Sequence, residues 1–195
     1  MTRLILASAS PRRRDLLLQL GVSSTVQPAD IDETPAAGEC PEDYVGRMAR
    51  EKAAVVAATA PGDAVVLAAD TTVVIDDDVL GKPRDQLDGL AMLARLSGRT
   101  HRVMTAVCLR AGARSGEELV VTQVTFSRLD RALCEAYLAT DEPWDKAGAY
   151  GIQGLGGALV ESIQGSYSNV VGLPLAQTWR LLARFNVATT LGAPP

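Results

Sequence analysis

Apolar and polar stretches alternate along the chain in a pattern that predicts strands and helices in turn. Short apolar runs rich in β-branched residues predict strands at 3–8, 24–29, 64–76, 100–112, 117–129 and 158–163, and the chain is predicted to return over 79–83 after the third of these. Apolar positions spaced three and four apart predict helices at 11–20, 41–60, 85–98, 130–139 and 174–185. Polar or glycine-rich stretches predict loops at 30–40 and 141–157, tight turns at 77–78 and 113–116, and a frayed tail at 188–195.

The order of these elements predicts the fold class. Strands and helices alternate, but the strands at 100–112 and 117–129 are joined by a turn and predict a hairpin. This combination predicts an α/β protein with a mixed sheet flanked by helices, rather than a purely parallel sheet. The 195 residues contain no repeat or linker, so we expect one domain over 1–195.

Composition and charge exclude several classes of protein. The net charge of -4 argues against a protein that coats nucleic acid. The three cysteines are far apart and form no CxxC pair, which predicts neither a zinc site nor a disulfide framework and favours a reducing compartment. The first apolar run is too short for a signal peptide, and no stretch predicts a membrane span. We therefore expect a cytoplasmic protein without a membrane or nucleic-acid partner.

The run of Arg12, Arg13 and Arg14 conflicts with its predicted place in a helix. Ser10 followed by Pro11 is typical of a helix start, with a serine N-cap and proline at the first helical position. The first turn carries partial positive charge, which favours acidic residues there. One interpretation is a solvated basic turn. The other is a polyphosphate site, since free N–H groups attract anions and arginine donates to phosphate through two N–H groups.

Lys52 lies on the predicted apolar stripe of its helix. It follows Val45 by seven residues and Met48 by four, and it precedes Val55 by three, beside Val56. This spacing turns its side chain toward the interior. The side chain then either snorkels from the edge of the stripe or faces an anion.

Asp70 interrupts the strongest predicted strand, "VVLAADTTVV". A carboxylate buried there without a partner would cost several kcal/mol, so it needs a cation, a metal ion or strong hydrogen-bond donors. An aspartate bonded to backbone at a strand end is the alternative. The pattern favours a catalytic or metal-linked role.

Two weaker motifs add candidate residues. The segment 81–83, "GKP", can place the ammonium of Lys82 in a cleft, although such a segment is commonly a plain turn. The acidic loop contributes Asp30, Asp32 and Glu33, and clustered carboxylates suit Mg²⁺. A loop that only aids solubility is the alternative.

Two further features are interpreted as structural. The string "GIQGLGG" is similar to a dinucleotide motif, but a predicted loop precedes it and a strand follows, whereas that motif needs a strand and then a helix. This context argues against a dehydrogenase or a methyltransferase. His101 is the only histidine and is expected in the core or at a strand edge, without a catalytic triad.

Taken in order, the motifs resemble those of the Maf family of nucleoside triphosphate pyrophosphatases. The blocks that carry this resemblance are "LASASPRRRDLLLQLGV", "IDET", "AREKA", "AADTTVV", "GKPRD", "LSGRTHRVMTAV", "DKAGAYGIQG" and "GSYSNVVGLPL". The resemblance implies a twisted mixed sheet between helices and two lobes around a central cleft, as in the inosine triphosphate pyrophosphatases. It also implies attack of water on the α-phosphorus of a nucleoside triphosphate, with Mg²⁺ or Mn²⁺ as cofactor.

Three positions match the branch of the family that acts on dTTP and UTP. That branch carries Arg after Ser-Pro, Thr after the catalytic Asp, and Gln before Gly in the glycine loop. The matching residues here are Arg12, Thr71 and Gln153. The branch that prefers 7-methyl-GTP typically has Trp, Gln and Glu at these places. The resemblance therefore implies a dTTP/UTP pyrophosphatase.

Residue chemistry and resemblance together suggest a role for each candidate. The predicted substrate-binding residues are Ser8, Arg12, Arg13, Lys52, Thr71, Lys82 and Gln153. Asp70 is either the general base or a metal ligand, and Glu33 is the additional metal ligand. A homodimer is expected from the family alone. The alternative function is a nucleotide-binding regulator of septum formation whose turnover is incidental.

Overall fold

The computed structural model describes residues 3–193, in which strands and helices alternate. The strands are β1 (Arg3–Leu6), β2 (Thr25–Val26), β3 (Ala64–Ile75), β4 (Asp78–Leu80), β5 (Thr100–Ala111), β6 (Arg114–Phe126) and β7 (Val160–Gln164). The α-helices are α1 (Pro11–Gln19), α2 (Pro41–Ala57), α3 (Gln86–Leu96), α4 (Arg131–Leu138), α5 (Tyr167–Val171) and α6 (Leu175–Arg184). Short 3-10 helices cover Pro143–Asp145, Ala147–Ala149 and Leu155–Leu159.

The strands form one mixed sheet in the order β2-β1-β3-β5-β6-β7, with β4 paired to β3. Strand β1 is parallel to both β2 and β3, whereas β3–β4 and β6–β7 are antiparallel. Strands β1 and β3 are buried along most of their length, which explains their continuous apolar sequence. The predicted mixed α/β architecture with flanking helices is confirmed.

The chain forms two compact units within this connectivity. Among the described residues, the first unit comprises 3–70, 105–120 and 172–193, and the second comprises 71–104 and 121–171. Strands β3, β5 and β6 each contribute residues to both units. The predicted single domain with a central cleft stays a prediction.

Each unit has its own buried side chains. In the first, these include Leu17, Met48 and Leu67. In the second, α3 packs on α4, and the core includes Phe126 and Tyr150. The sole histidine, His101, belongs to this second interior: it is 2% exposed, shares a hydrogen bond of 2.8 Å with the Tyr150 hydroxyl, and meets Phe126 edge-on. Its expected core position is confirmed.

Local boundaries depart from the predictions where left-handed backbone is required. The turn between β3 and β4 is at Asp76 and Asp77, one residue earlier than predicted, with φ values of 54° and 61°. A two-residue hairpin turn of type I′ has positive φ at both positions, which aspartate tolerates. The hairpin turn between β5 and β6 is at 112–113, not 113–116, because Gly112 takes the positive φ of 57°.

Some element predictions were wrong in length or missing. Strand β2 has only two residues, whereas 24–29 was predicted, and α2 ends at Ala57 rather than near residue 60. Helix α5 was not predicted, because five residues are too few to show a helical period.

The tail predicted to fray makes contacts in the structure: the Thr190 N–H donates to the Leu20 carbonyl, and Trp179 Nε1 donates to the Gly192 carbonyl. Pro194 and Pro195 lie outside the described residues.

Candidate active site

The N-terminus of α1 presents backbone donors next to the arginine run. Ser10 is the N-cap as predicted, but its hydroxyl makes no capping bond to α1. The Ser10 N–H instead donates to the hydroxyl of Ser8, at 3.2 Å. The first turn of α1, which lies wholly in the described part of the chain, contains no acidic residue. No acidic side chain of the described first turn itself therefore stabilises the positive end of the helix dipole.

Arg13 is held against this helix start. Its Nη1 donates to Ser8 Oγ at 3.0 Å, and its Nε donates to the Gly172 carbonyl at 2.9 Å. Burial lowers the pKa of Arg13, the positive charge of Arg12 lowers it further, and the negative charge of Asp70 opposes both. Arg12 is half-buried like Arg13, whereas Arg14 is exposed. Two neighbouring guanidinium groups with restricted access to water favour an anion beside them.

Lys52 points inward from α2, as its spacing predicts. The residue is 8% exposed, on the same buried face as Val45, Met48 and Val56. Val55 was wrongly assigned to this stripe and is 47% exposed. The interpretation that Lys52 snorkels to solvent from the edge of the stripe is also wrong. Its ammonium lies among charged side chains rather than in open solvent.

The ammonium of Lys52 joins two acidic residues that are far apart in sequence. Its Nζ lies 2.7 Å from Asp70 Oδ1 and 2.6 Å from Glu33 Oε1. Asp70 is near the middle of β3 rather than at a strand end, and its side chain is 14% exposed. The strand-end interpretation is therefore wrong, and Lys52 is the cation that this buried carboxylate requires. We call Lys52, Asp70 and Glu33 the charged cluster.

The acidic loop is fastened to α2 by residues that the sequence analysis missed. The Tyr44 hydroxyl donates to the Glu33 carbonyl at 3.0 Å. Arg47 donates two hydrogen bonds to the carboxylate of Glu39, from Nε and from Nη2, both at 2.7 Å. Its Nη2 also donates to the Thr34 carbonyl at 3.1 Å. Tyr44 and Arg47 lie one helical turn apart on α2, so the loop is held at two successive points along the helix. This attachment places Glu33 beside Lys52.

The pKa values reflect the charges around this loop. Burial raises the pKa of Tyr44 to about 12, and the negative charges of Asp70 and Glu33 act in the same direction. The side-chain hydrogen bond from Arg47 lowers the pKa of Glu39 to about 2. Tyr44 is therefore a neutral donor and Glu39 a carboxylate at neutral pH, so both contacts persist there.

The remaining predicted residues belong to the second unit. Thr71 follows Asp70 in β3 and is half-buried. Lys82 is exposed in the turn after β4, and the carbonyl of its neighbour Gly81 accepts a 3.0 Å hydrogen bond from the Gly148 N–H. Gln153 is exposed on the glycine-rich segment. The substrate, base and metal roles assigned to all these side chains stay predictions.

The string "GIQGLGG" has the structural context expected from the sequence. It leads through the 3-10 helix Leu155–Leu159 directly into β7. A strand followed by an α-helix, which a dinucleotide site needs, is not the arrangement here. The dehydrogenase and methyltransferase interpretations gain no support from this segment.

Comparison with known proteins identifies the family. The family model described as Maf-like protein matches residues 3–185. A dTTP/UTP pyrophosphatase of Anaeromyxobacter dehalogenans is 58% identical over 186 residues, which cover 93% of each chain. One of Myxococcus xanthus is 60% identical over 184 residues, covering 94% of this chain and 92% of the relative. The chain belongs to the Maf family, as its motifs predicted.

A solved structure of the Staphylococcus aureus Ham1 protein is a distant neighbour. It has a TM-score of 0.43 and 10% identity, covering 64% of this chain and 71% of that one, which is too remote to bear on function. Within the described residues, no helix combines the length and apolar character needed to cross a membrane.

Proposed function

We propose that this protein is a nucleoside triphosphate pyrophosphatase that hydrolyses dTTP and UTP to the monophosphate and pyrophosphate. The observation that carries the proposal is the charged cluster, in which Lys52 holds the carboxylates of Asp70 and Glu33 within hydrogen-bond distance. The same compact unit contains the arginines at the start of α1. The names of the curated relatives, which are more than half identical over nearly the whole chain, support the same activity.

The start of α1 is suited to bind the triphosphate. Arg13 is oriented by Ser8 and Gly172, and Arg12 adds a second guanidinium beside it. Phosphoryl transfer depends mainly on positioning and on stabilisation of the charge that develops on phosphate oxygens. Oriented arginines and helix N–H groups supply both. Lys82 is the candidate for a further cation at the phosphates.

Asp70 is our candidate for the group that acts on water. In the proposed step, water attacks the α-phosphorus, its proton passes to the Asp70 carboxylate, and the bond between the α-phosphorus and the pyrophosphate oxygen breaks. A carboxylate held within hydrogen-bond reach of the attacking water is the arrangement that this proton transfer needs. The bond from Lys52 restrains one oxygen of this carboxylate.

The carboxylates also fit a divalent metal ion. Oxygen atoms of Glu33 and Asp70 lie within 2.7 Å of the same ammonium nitrogen, so they converge on one small region. No group of three or more His, Cys, Asp or Glu in residues 3–193 forms a ready metal site. Mg²⁺ is typically bound by one or two carboxylates together with substrate phosphates and water, which matches this donor set. When bound, such an ion neutralises phosphate charge and acidifies its water ligand. We propose Mg²⁺ or Mn²⁺, held by Glu33 and Asp70.

Gln153 is our candidate for recognising the base. Its side-chain amide offers both a donor and an acceptor, which complement the donor and acceptor of a uracil or thymine edge. Its exposed position leaves the amide accessible. Thr71 is the candidate for shaping the same pocket.

The three cysteines are free thiols, which suits the cytoplasm. A homodimer stays a prediction.

A panel of canonical and modified nucleoside triphosphates tests the proposal. With Mg²⁺ or Mn²⁺, we expect dTTP and UTP to yield monophosphate and pyrophosphate, identified by chromatography. Release of inorganic phosphate and a diphosphate would contradict attack at the α-phosphorus. Tight nucleotide binding without turnover would favour the nucleotide-binding regulator, because a sensor needs phosphate donors but no base.

A further inference from the structure

The glycine-rich segment that carries Gln153 is built over two polar side chains from the preceding region. Gln153 itself is exposed. The Gly154 N–H donates to the Gly151 carbonyl at 3.4 Å, which closes a turn around Gln153, and the Gly157 N–H donates to the Gly154 carbonyl at 3.0 Å in the turn that follows. The segment is therefore a succession of tight turns, and its position depends on its hydrogen bonds to side chains of the preceding region.

Glu142 holds the segment on the C-terminal side of Gln153. Its Oε2 accepts from the Leu155 N–H at 2.8 Å, and its Oε1 accepts from the Gly156 N–H at 2.9 Å. These N–H groups begin the 3-10 helix Leu155–Leu159 and have no partner within it. One carboxylate thus satisfies two backbone donors two and three residues after Gln153.

Tyr137 holds the segment on the N-terminal side of Gln153. Its ring is buried in the core of the second unit. Its hydroxyl accepts from the Gly151 N–H at 3.0 Å and donates to Glu142 Oε1 at 2.8 Å. One connected network of hydrogen bonds therefore fixes the backbone on both sides of Gln153. We call Tyr137 and Glu142 the loop support.

Gly154 and Gly156 lie where the backbone passes too close to the loop support to leave room for a side chain. A Cβ atom at position 154 would lie 2.0 Å from Glu142 Oε2, and one at position 156 would lie 2.6 Å from the Tyr137 hydroxyl oxygen. Any larger residue at Gly154 or Gly156 would push the segment off its support. The string that is similar to a dinucleotide motif therefore reflects contact with side chains of the same unit.

Electrostatics keep the loop support intact at neutral pH. Burial acts against the charged form of Glu142, but hydrogen bonds from the Gly156 N–H and the Tyr137 hydroxyl outweigh it. The Leu155 N–H and the charge of Lys146 act in the same direction, so the pKa of Glu142 is lowered. Burial raises the pKa of Tyr137, which keeps its hydroxyl a donor.

We propose that Glu142, together with Tyr137, is a positioning residue that sets the selectivity of the enzyme for uracil and thymine by fixing Gln153. This inference rests on the proposed role of Gln153 in base recognition. Neither Glu142 nor Tyr137 needs to touch the nucleotide, because each acts through the backbone that carries Gln153.

The test compares UTP with a deoxyribose 5′-triphosphate that lacks a base. Glu142→Gln keeps the shape of the side chain but turns an NH₂ group toward a donor. We expect its KM for UTP to rise about tenfold, the effect of a lost hydrogen bond to a charged group. We expect kcat to stay within about twofold, since binding alone is weakened. Turnover of the base-free substrate should be unchanged.

Matched variants separate positioning from general damage. Tyr137→Phe removes only the hydroxyl, should show a smaller rise of the same kind, and carries the test if Glu142→Gln does not fold. Glu135→Gln removes a solvent-accessible carboxylate on α4 that pairs with Arg131, and serves as the control. In a Gln153→Ala background, Glu142→Gln should add no further rise in KM for UTP.

Each other outcome counts against a particular claim. Equal losses with UTP and the base-free substrate, or an undiminished effect of Glu142→Gln in the Gln153→Ala background, would overturn the positioning role and leave base recognition by Gln153 standing. If Gln153→Ala itself leaves discrimination between the two substrates unchanged, base recognition by Gln153 is wrong and the inference fails with it.

Discussion

Replacing Asp70 by asparagine tests the centre of the proposed mechanism. The substitution removes the charge and the basicity of the side chain but preserves its shape and one acceptor oxygen. A positioned general base typically contributes about 10²- to 10⁴-fold to the rate, so we expect kcat for UTP to fall by roughly that factor. If Asp70 instead holds the metal ion, the loss should be partly recovered at high Mn²⁺ concentration.

The structure indicates that the same variant remains folded. In the native protein the Lys52 ammonium lies 2.7 Å from Asp70 and 2.6 Å from Glu33. In Asp70→Asn, the amide oxygen still accepts from Lys52, and Glu33 still balances its charge. We therefore expect a cost of about 1–2 kcal/mol, as for weakening one charged hydrogen bond. Leaving a buried charge wholly unpaired would cost about 3–5 kcal/mol.

The assay follows pyrophosphate release from UTP with Mg²⁺, alongside thermal unfolding. Asp63→Asn is the matched control, since Asp63 is exposed just before the same strand. For a chain of this size, 1 kcal/mol corresponds to about 2–4 °C in Tm. An Asp70→Asn variant that retains more than about a tenth of the native kcat would refute the assignment of Asp70. A Tm loss much above 10 °C would instead refute the stabilising role given to Glu33.

Two other predictions use different properties. Gln153→Glu should lower kcat/KM for UTP and dTTP about tenfold or more, because it removes the amide donor that we propose faces an acceptor of the base. Gln164→Glu, at an exposed position on β7, is the control. Equal loss across all nucleotides would contradict base recognition. For His101, burial lowers the pKa from 6.5 to about 4, so the folded state binds fewer protons than the unfolded chain between these values. The free energy of unfolding should therefore fall by about 3 kcal/mol as pH drops from 7 to 4. Urea unfolding measures this; a His101→Gln variant with an equally steep fall would show that another group is responsible.

Helix starts and inward-facing positions were accessible from the sequence because their signals are local. Ser10 and Pro11 mark the start of α1 through the conformations that they favour. The inward direction of Lys52 follows from the helical period of α2 alone. The need of Asp70 for a cation, a metal ion or strong hydrogen-bond donors follows from the apolar strand around it. Which of these partners is present does not follow, because Lys52 on α2 and Asp70 on β3 meet only in the folded chain.

The contacts that hold the candidate residues in place were not accessible in this way. Arg47 has a charged neighbour at Glu51, one helical turn away, yet its shortest bonds are to Glu39 in the acidic loop. The block "DKAGAYGIQG" marks the family in the sequence, but the sequence does not show why Gly154 and Gly156 are glycines. The reason is the short distance from each glycine to a side chain of the loop support, and this distance cannot be read from the spacing of residues along the chain.

The sequence alone predicts most of the strands and helices, the mixed character of the sheet, the family, and the residues whose chemistry conflicts with their predicted surroundings. These properties depend on short-range periodicity, caps and turns, or on motif order. Three contacts become visible in the folded chain alone: Lys52 lies between Glu33 and Asp70, Arg13 is fixed by Ser8 and Gly172, and Glu142 supports the segment carrying Gln153. Each of these contacts joins residues from separate elements, and their meeting depends on strand register and on packing of helices and loops against the sheet.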